Sequence, residues 1–292
     1  MNYLKLILVL LALTMPVLAE AHSYFTNEPA GATQILDCPF SGAPSTCGIE
    51  DVYSSAAFTS DGTAPLSPSG TIRSTLNPGN SQGGMQLDRP YSMVRETFVG
   101  MTWQANPTFQ GRSGGNKTFF VRGPDSIGVF VIQGGLASGS GPFVWSHNSS
   151  ALNNSHACVG SIGELCYPNV GSGTVFRGQW TKLEAYFKAS TTNTSRDGIV
   201  KWWIDGQPAG NYTNLNYAGA GLNNWTWTET WDGCGGAVGC DLGVVNTQTW
   251  QHRIDHLYIS APNCPGTCGG GGGGGDTTPP GRATGLVVTQ LN

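Results

Sequence analysis

The sequence predicts an all-β protein, an antiparallel β-sandwich with disulfide-pinned loops. Three observations carry this: helical periodicity is almost absent, short alternating apolar stretches recur between turn clusters, and eight cysteines fall in close pairs. The expected strands cover 94–104, 117–122, 127–133, 174–177, 180–189, 198–204 and 252–260, each bounded by Gly, Asn, Asp or Pro.

The clearest pair is 182–188 with 199–204. In the first, Leu183, Ala185 and Phe187 share one face, and Glu184, Tyr186 and Lys188 the other. In the second, Val200, Trp202 and Ile204 alternate with Lys201, Trp203 and Asp205. A polar connection ending in Asp197-Gly198 joins them, and Asp205-Gly206 makes a tight turn at the far end. The apolar faces are core. The opposite faces, rich in Glu, Tyr, Lys and Trp, meet solvent or a ligand. Two antiparallel sheets packed face to face bury several such strands economically.

Ahead of this domain, Leu6 to Leu13 is an unbroken apolar run after the lone Lys5, followed by small residues at Ala19 and Ala21. That pattern is a secretory signal peptide over residues 1–21, cut after Ala19 or Ala21, and too short for a membrane span. The sandwich is assigned to residues 22–268 as one domain. Seven glycines from Gly269 to Gly275 open a flexible linker (269–278). Residues 279–292, led by Pro279-Pro280-Gly281, resemble the start of a fibronectin type III domain. They are too few to complete it and are expected to be disordered.

An even cysteine count behind a secretory leader implies disulfides. Sequence proximity favours Cys38 with Cys47, Cys158 with Cys166, Cys234 with Cys240 and Cys264 with Cys268. Zinc is the weaker reading, because only Cys264 and Cys268 have metal-like spacing and no histidine completes a site.

Charged residues are only 11% of the chain, against ~25% in typical domains, and the net charge is −4 with no basic excess. Nucleic acid and anionic membranes are therefore poor partners. A surface of neutral hydrogen-bonding groups and aromatics suits a hydroxyl-rich ligand, so the expected partner of this secreted monomer is polysaccharide.

The segments Trp180 to Lys188 and Val200 to Gly206 resemble a hairpin of concanavalin A-like jelly rolls. It is familiar from polysaccharide lyases of the glucuronan and alginate lyase type and from laminin-G-like domains. Arg95 to Trp103, Gly114 to Phe120 and Ile254 to Ser260 fit the same pattern. The resemblance spans roughly residues 65–262 and implies a jelly roll that binds polysaccharide. It also implies β-elimination on uronic acids as an activity, with a non-catalytic binding or adhesive module as the alternative. Three lyase features are missing: an Arg-rich strand motif is absent, Val131-Ile132-Gln133-Gly134 lacks the histidine of a Gln-Ile-His or Gln-Val-His triplet, and Tyr186-Phe187-Lys188-Ala189 lacks the tyrosine expected a few residues on.

A uronate lyase needs a group to neutralise the sugar carboxylate, a base for the C5 proton and an acid for the leaving oxygen. Tyr186, His147, Lys188 and Arg95 are the candidates for these roles. Glu184, Lys201, Trp203 and Lys117 are candidate substrate contacts, as are Trp225, Trp227 and Trp231, which alternate with polar residues like a stacking platform. Cross-strand ion pairing among Glu184, Lys188 and Lys201 is the structural alternative. Asp255 is the candidate ligand for a structural calcium, and no other cofactor is required. Paired hydrolytic carboxylates are not indicated, since the E-x-D-x-x-E motif of retaining glucanases does not occur. A mature chain starting at His22 would resemble a copper-dependent monooxygenase, but no partner histidine pattern supports it. The sequons at Asn116, Asn148, Asn153, Asn193, Asn211 and Asn224 carry no assignment in so Asn- and Thr-rich a chain.

Overall fold

The structure is a computed structural model that describes residues 23–53, 56–67, 70–78, 85–109, 116–124, 126–133, 143–151, 165–228 and 249–263. The leader, Trp231, the linker and the C-terminal stub lie outside these residues.

The first strands are β1 (Thr33–Cys38), β2 (Glu50–Asp51), β3 (Ala57–Thr59), β4 (Thr71–Leu76) and β5 (Leu87–Val94). The expected strand 94–104 is resolved into the end of β5 and β6 (Glu96–Ala105), which break at Arg95. Next come β7 (Asn116–Gly123), β8 (Ser126–Gln133), β9 (Phe143–Ala151), β10 (Leu165–Cys166) and β11 (Thr174–Val175). The hairpin read from sequence is β12 (Thr181–Lys188) and β13 (Gly198–Ile204). It is followed by β14 (Gln207–Leu215), β15 (Leu222–Trp227) and β16 (Trp250–Ala261).

These strands form two eight-stranded sheets. One, here the back sheet, has the order β14-β13-β12-β6-β16-β4-β3, with β1 also on β16. The front sheet has the order β10-β9-β8-β7-β15-β5-β2, with β11 also on β9. All pairings are antiparallel. The register Leu183↔Ile204, Ala185↔Trp202, Phe187↔Val200 places the predicted apolar face together, and all six side chains are buried. The turn from β13 to β14 is two residues, Asp205 and Gly206, with φ of 50° and 78°. Positive φ at both positions matches the twist of the flanking strands, which is why Asp-Gly serves there.

The two inner faces interlock through aromatic rings. Phe130 of the front sheet meets Phe187 at 5.8 Å and Trp202 at 5.6 Å, both edge-on, and stacks on Phe119 at 5.0 Å. Such contacts between side chains of opposite sheets define the sandwich core. The disulfide Cys38–Cys47 forms as read from sequence, spanning nine positions and tying β1 to the 3₁₀ turn Pro44–Cys47. Cys166 is also disulfide-bonded. Cys158, Cys234, Cys240, Cys264 and Cys268 lie outside the described residues, so three of the four pairings are not on view. No helix among the described residues is long and apolar enough to cross a membrane.

Candidate functional site

Period-2 alternation puts two sets of polar side chains on the outside of the sandwich, one per sheet. The predicted residues are divided between them.

On the back sheet, the outward row of β12 is Lys182, Glu184, Tyr186 and Lys188. Its centre is roofed by the N-terminal segment. Phe25, only 1% exposed, lies over Gly100 of β6, where a Cβ would come within 2.5 Å of the ring. Phe25 also stacks on Tyr258 of β16 at 5.9 Å. Asn27 donates its backbone N–H to Glu184 Oε1 at 3.0 Å and its amide nitrogen to Oε2 at 2.9 Å. Lys182 Nζ donates to the Tyr24 carbonyl at 3.0 Å and lies 3.4 Å from Glu184 Oε2. Glu184 is completely buried. Its expected part as a substrate contact is therefore corrected: the carboxylate is the anchor of the N-terminal strap, and both oxygens are used in holding it.

Tyr186 is half-buried and donates its hydroxyl to Glu96 Oε2 at 2.7 Å. Burial first, then the Glu96 carboxylate, push its pKa well above the ordinary phenol value. A tyrosine held protonated in this way is a poor base. Lys188 sits opposite Glu96 in register. Lys201 and Trp203 occupy the outward row of β13 beside Tyr186 and Glu184 and are half-buried. Arg95 holds the fold together instead of facing a ligand. Its guanidinium donates to the carbonyls of Gly219 (2.7 Å), Ala189 and Ser190, clasping two loops together.

A further expectation is corrected. Trp225 and Trp227 are both 0% exposed, because β15 turns its indoles inward opposite Val121 and Phe119. They are core; Thr226 between them is on the opposite row and is itself buried. Asp255, the expected calcium ligand, accepts the backbone N–H groups of Leu66 (2.6 Å) and Ser67 (2.8 Å), pinning that loop to β16. Burial raises its pKa, with those two amide bonds opposing. Among the described residues no group of three His, Cys, Asp or Glu side chains is arranged to hold a metal ion.

The front sheet presents a different outward surface. A bulge between Lys117 and Phe120 shifts the phase of β7, so that Phe120 and Arg122 face away from the core that holds Phe119 and Val121. The Arg122 guanidinium lies over the Phe120 ring at 4.6 Å, and Lys117 Nζ approaches the same ring at 6.0 Å. Asn224 of β15 is in register with Arg122, and Thr226 with Phe120. One strand further, Asp88 accepts Thr226 Oγ1–H at 2.5 Å and the Gln86 amide at 2.8 Å. Arg122 Nε and Asn224 Oδ1 are buried atoms with no hydrogen-bond partner among the described residues. Burial lowers the Arg122 pKa, with the Asp88 carboxylate opposing, but a guanidinium stays charged regardless. Among the described residues the Arg122 guanidinium has a donor free to pair with an anion, and the Asn224 oxygen beside it is an acceptor suited to a hydroxyl.

His147 belongs to β9 of this front sheet, in register with Phe130 and Cys166; its side chain is outside the described set. The two outward surfaces are separated by the sandwich core, so Lys117 and the back-sheet residues Tyr186, Lys188, Lys201 and Trp203 do not form one site. Sequence reading misses Arg122 and meets Asn224 only as a sequon. The signal for Arg122 is hidden by the bulge, because strict alternation counted from Lys117 places residues 117, 119 and 121 on one face.

No protein-family model and no curated protein sequence matches the chain. Its fold resembles those of several solved structures at low identity. The alginate lyase Aly36B is 15% identical with a TM-score of 0.46, over 81% of this chain and 94% of that one. An endo-β-1,4-glucuronan lyase from the fungus Trichoderma reesei is 14% identical with a TM-score of 0.49, over 73% and 90%. An endo-1,3-β-glucanase from Streptomyces sioyaensis is 12% identical with a TM-score of 0.48, over 80% and 99%. By its own strand order and antiparallel register, the chain is a two-sheet antiparallel β-sandwich with a shared aromatic core.

Proposed function

We propose that the protein is a secreted carbohydrate-active protein that binds uronic-acid-containing polysaccharide on the outward face of its front sheet. The observation that carries this reading is Arg122, laid over Phe120 at 4.6 Å, with a buried Nε that has no partner among the described residues, beside Asn224 Oδ1, which has none among them either. Arginine matches a carboxylate through paired N–H donors, and a desolvated guanidinium makes stronger bonds than one in water. The Asn224 Oδ1 beside it can accept a sugar hydroxyl, while the buried Thr226 hydroxyl is held by Asp88 and fixes the row. Lys117 adds a second positive charge at the Phe120 ring. The Cys38–Cys47 disulfide fits an oxidising, extracellular setting.

Cleavage by β-elimination is the finer proposal. With the uronate carboxylate neutralised at Arg122, a base removes the C5 proton, the C4–O bond breaks, and the leaving oxygen takes a proton, leaving an unsaturated sugar. His147 is in register with the core residue Phe130, on the row of β9 opposite to the outward face that carries Arg122, and is not part of this proposal. Tyr186 is on the other sheet and is not part of this proposal. The alternative is a module that binds without cutting.

The test compares wild type with Arg122→Gln for affinity to a polyuronate and to a neutral glucan, alongside absorbance of the unsaturated product. Loss of one charge-assisted pair costs ~1.5–3 kcal/mol, so polyuronate affinity should fall roughly tenfold to a hundredfold. Binding of the neutral glucan should stay the same. Equal polyuronate affinity in both proteins would remove Arg122 and this reading with it. Unsaturated product from wild type that is lost in Arg122→Gln supports the lyase, and binding with no product in wild type supports the non-cutting module.

A further inference from the structure

The back sheet holds a second cationic site at the end away from the strap. In the β4–β16 pairing, Arg73 stands directly opposite Arg253. Their neighbours Ile72 and Ile254 are fully buried in the core, so both arginines face outward. Like charges placed directly opposite on neighbouring strands repel and lower stability. A fold keeps such a pair without cost only if counter-charge is provided.

One carboxylate is provided for two guanidiniums. Arg253 Nη1 donates to Asp61 Oδ2 at 3.1 Å and lies 3.4 Å from Gln104 Oε1, and its Nη2 donates to Gln251 Oε1 at 3.0 Å. Asp61 is itself fixed by the backbone and hydroxyl of Thr63, and Thr63 Oγ1 accepts the indole N–H of Trp180 at 3.0 Å. Every acceptor in the cluster is therefore directed at Arg253 or consumed by Thr63. Arg73 makes no hydrogen bond or ion pair with any described residue, and its Nε is buried without a partner. Across β3 it is in register with Ala57, which offers it no counter-charge.

We propose that the Arg73–Arg253 pair is an oxyanion-binding site for the acidic group of a saccharide chain, distinct from the front-sheet surface. The incoming carboxylate or sulfate ester supplies the missing counter-charge to Arg73 and shares Arg253 with Asp61. Gln104, Gln251 and Thr75 line the same outward face, and Trp180 is tied to its rim through Thr63, giving amide, hydroxyl and indole groups suited to a sugar. The site is on the opposite sheet from Arg122, so its failure and that of the front-sheet reading are separable.

The experiment uses the full secreted chain carrying Arg122→Gln, which silences the front surface, with and without Arg73→Gln. The probes are inorganic sulfate, a uronate tetrasaccharide and a neutral tetrasaccharide. Sulfate and the uronate oligomer should raise Tm in the Arg73 protein, the neutral oligomer should not, and Arg73→Gln should weaken both responses at least tenfold in concentration. At low salt and without probe, Arg73→Gln should also melt higher, because the repulsion is gone. Arg73→Lys, which keeps the charge and loses the planar fork, should recover part of the response and guards against a misfolded glutamine variant. Equal responses with and without Arg73 overturn the proposal. A response to sulfate with none to the uronate oligomer overturns the saccharide assignment.

Discussion

Gly100→Ala isolates the strap that closes the back sheet. A methyl group at position 100 would meet Phe25 Cδ1 and Cγ at 2.5 Å, and the three nearest heavy atoms all belong to that ring. Overpacking of this kind costs ~1–3 kcal/mol. Phe25 is 1% exposed against Phe98 and Tyr258, so Phe25→Ala should cost ~3–5 kcal/mol through lost burial and the cavity left behind. The two effects are not independent. Once the ring is gone, the alanine methyl has room, and β6 no longer carries an interior glycine, which strands disfavour. The double variant should thus be no less stable than Phe25→Ala alone, a coupling of ~1–3 kcal/mol in a double-mutant cycle. For a domain of this size each kcal/mol moves Tm by roughly 2–4 °C, so thermal melts of the four proteins resolve it. Strict additivity of the two single changes would refute the placement of Phe25 over Gly100, and with it the roof over Glu184.

Two other outcomes are expected. Tyr186 and Tyr258 donate to Glu96 and Glu28 and have pKa values raised by burial, then by those carboxylates. The native state therefore favours the protonated phenols. Their contribution is fully present below the unfolded value near ~10 and is lost as pH climbs above it towards the raised native values. Stability against urea should fall above that pH, and less steeply in the double Tyr→Phe variant; an identical fall in both would exclude these phenols as the cause. Trp227→Ala should lower stability by ~3–5 kcal/mol through a core cavity while folded protein keeps its polysaccharide affinity. Unchanged stability with lost affinity would return Trp227 to the binding surface.

The fold was legible because burial enforces period 2. Leu183, Ala185 and Phe187 against Val200, Trp202 and Ile204 needed no long-range information, and Asp205-Gly206 announced its own turn. The disulfide Cys38–Cys47 followed from proximity. The candidate site was less legible for two local reasons. In β15, Asn224-Trp225-Thr226-Trp227 alternates cleanly, but alternation does not say which phase is inside, and large aromatics win the core whenever one face is buried. In β7, a bulge reverses the phase midway, so simple alternation groups Arg122 with the wrong neighbours.

The harder distinction is between two outward faces that look alike in composition. Both sheets place cations, amides and aromatics on their solvent sides, and a hairpin such as β12–β13 carries no mark of what will lie on top of it. The mark is supplied by residues 24–28, which reach Glu184 across 157 positions of sequence. An isolated buried carboxylate would be costly, and Asn27 with Lys182 meets that need using a backbone amide, a side-chain amide and an ammonium. On the front sheet no equivalent partner reaches Arg122 Nε or Asn224 Oδ1 from the described chain. A polar group satisfied from within is structural. A buried cation with no partner among the described residues can take one from a ligand, and that contrast is the physical ground for proposing Arg122, rather than Tyr186 or Glu184, as the ligand contact.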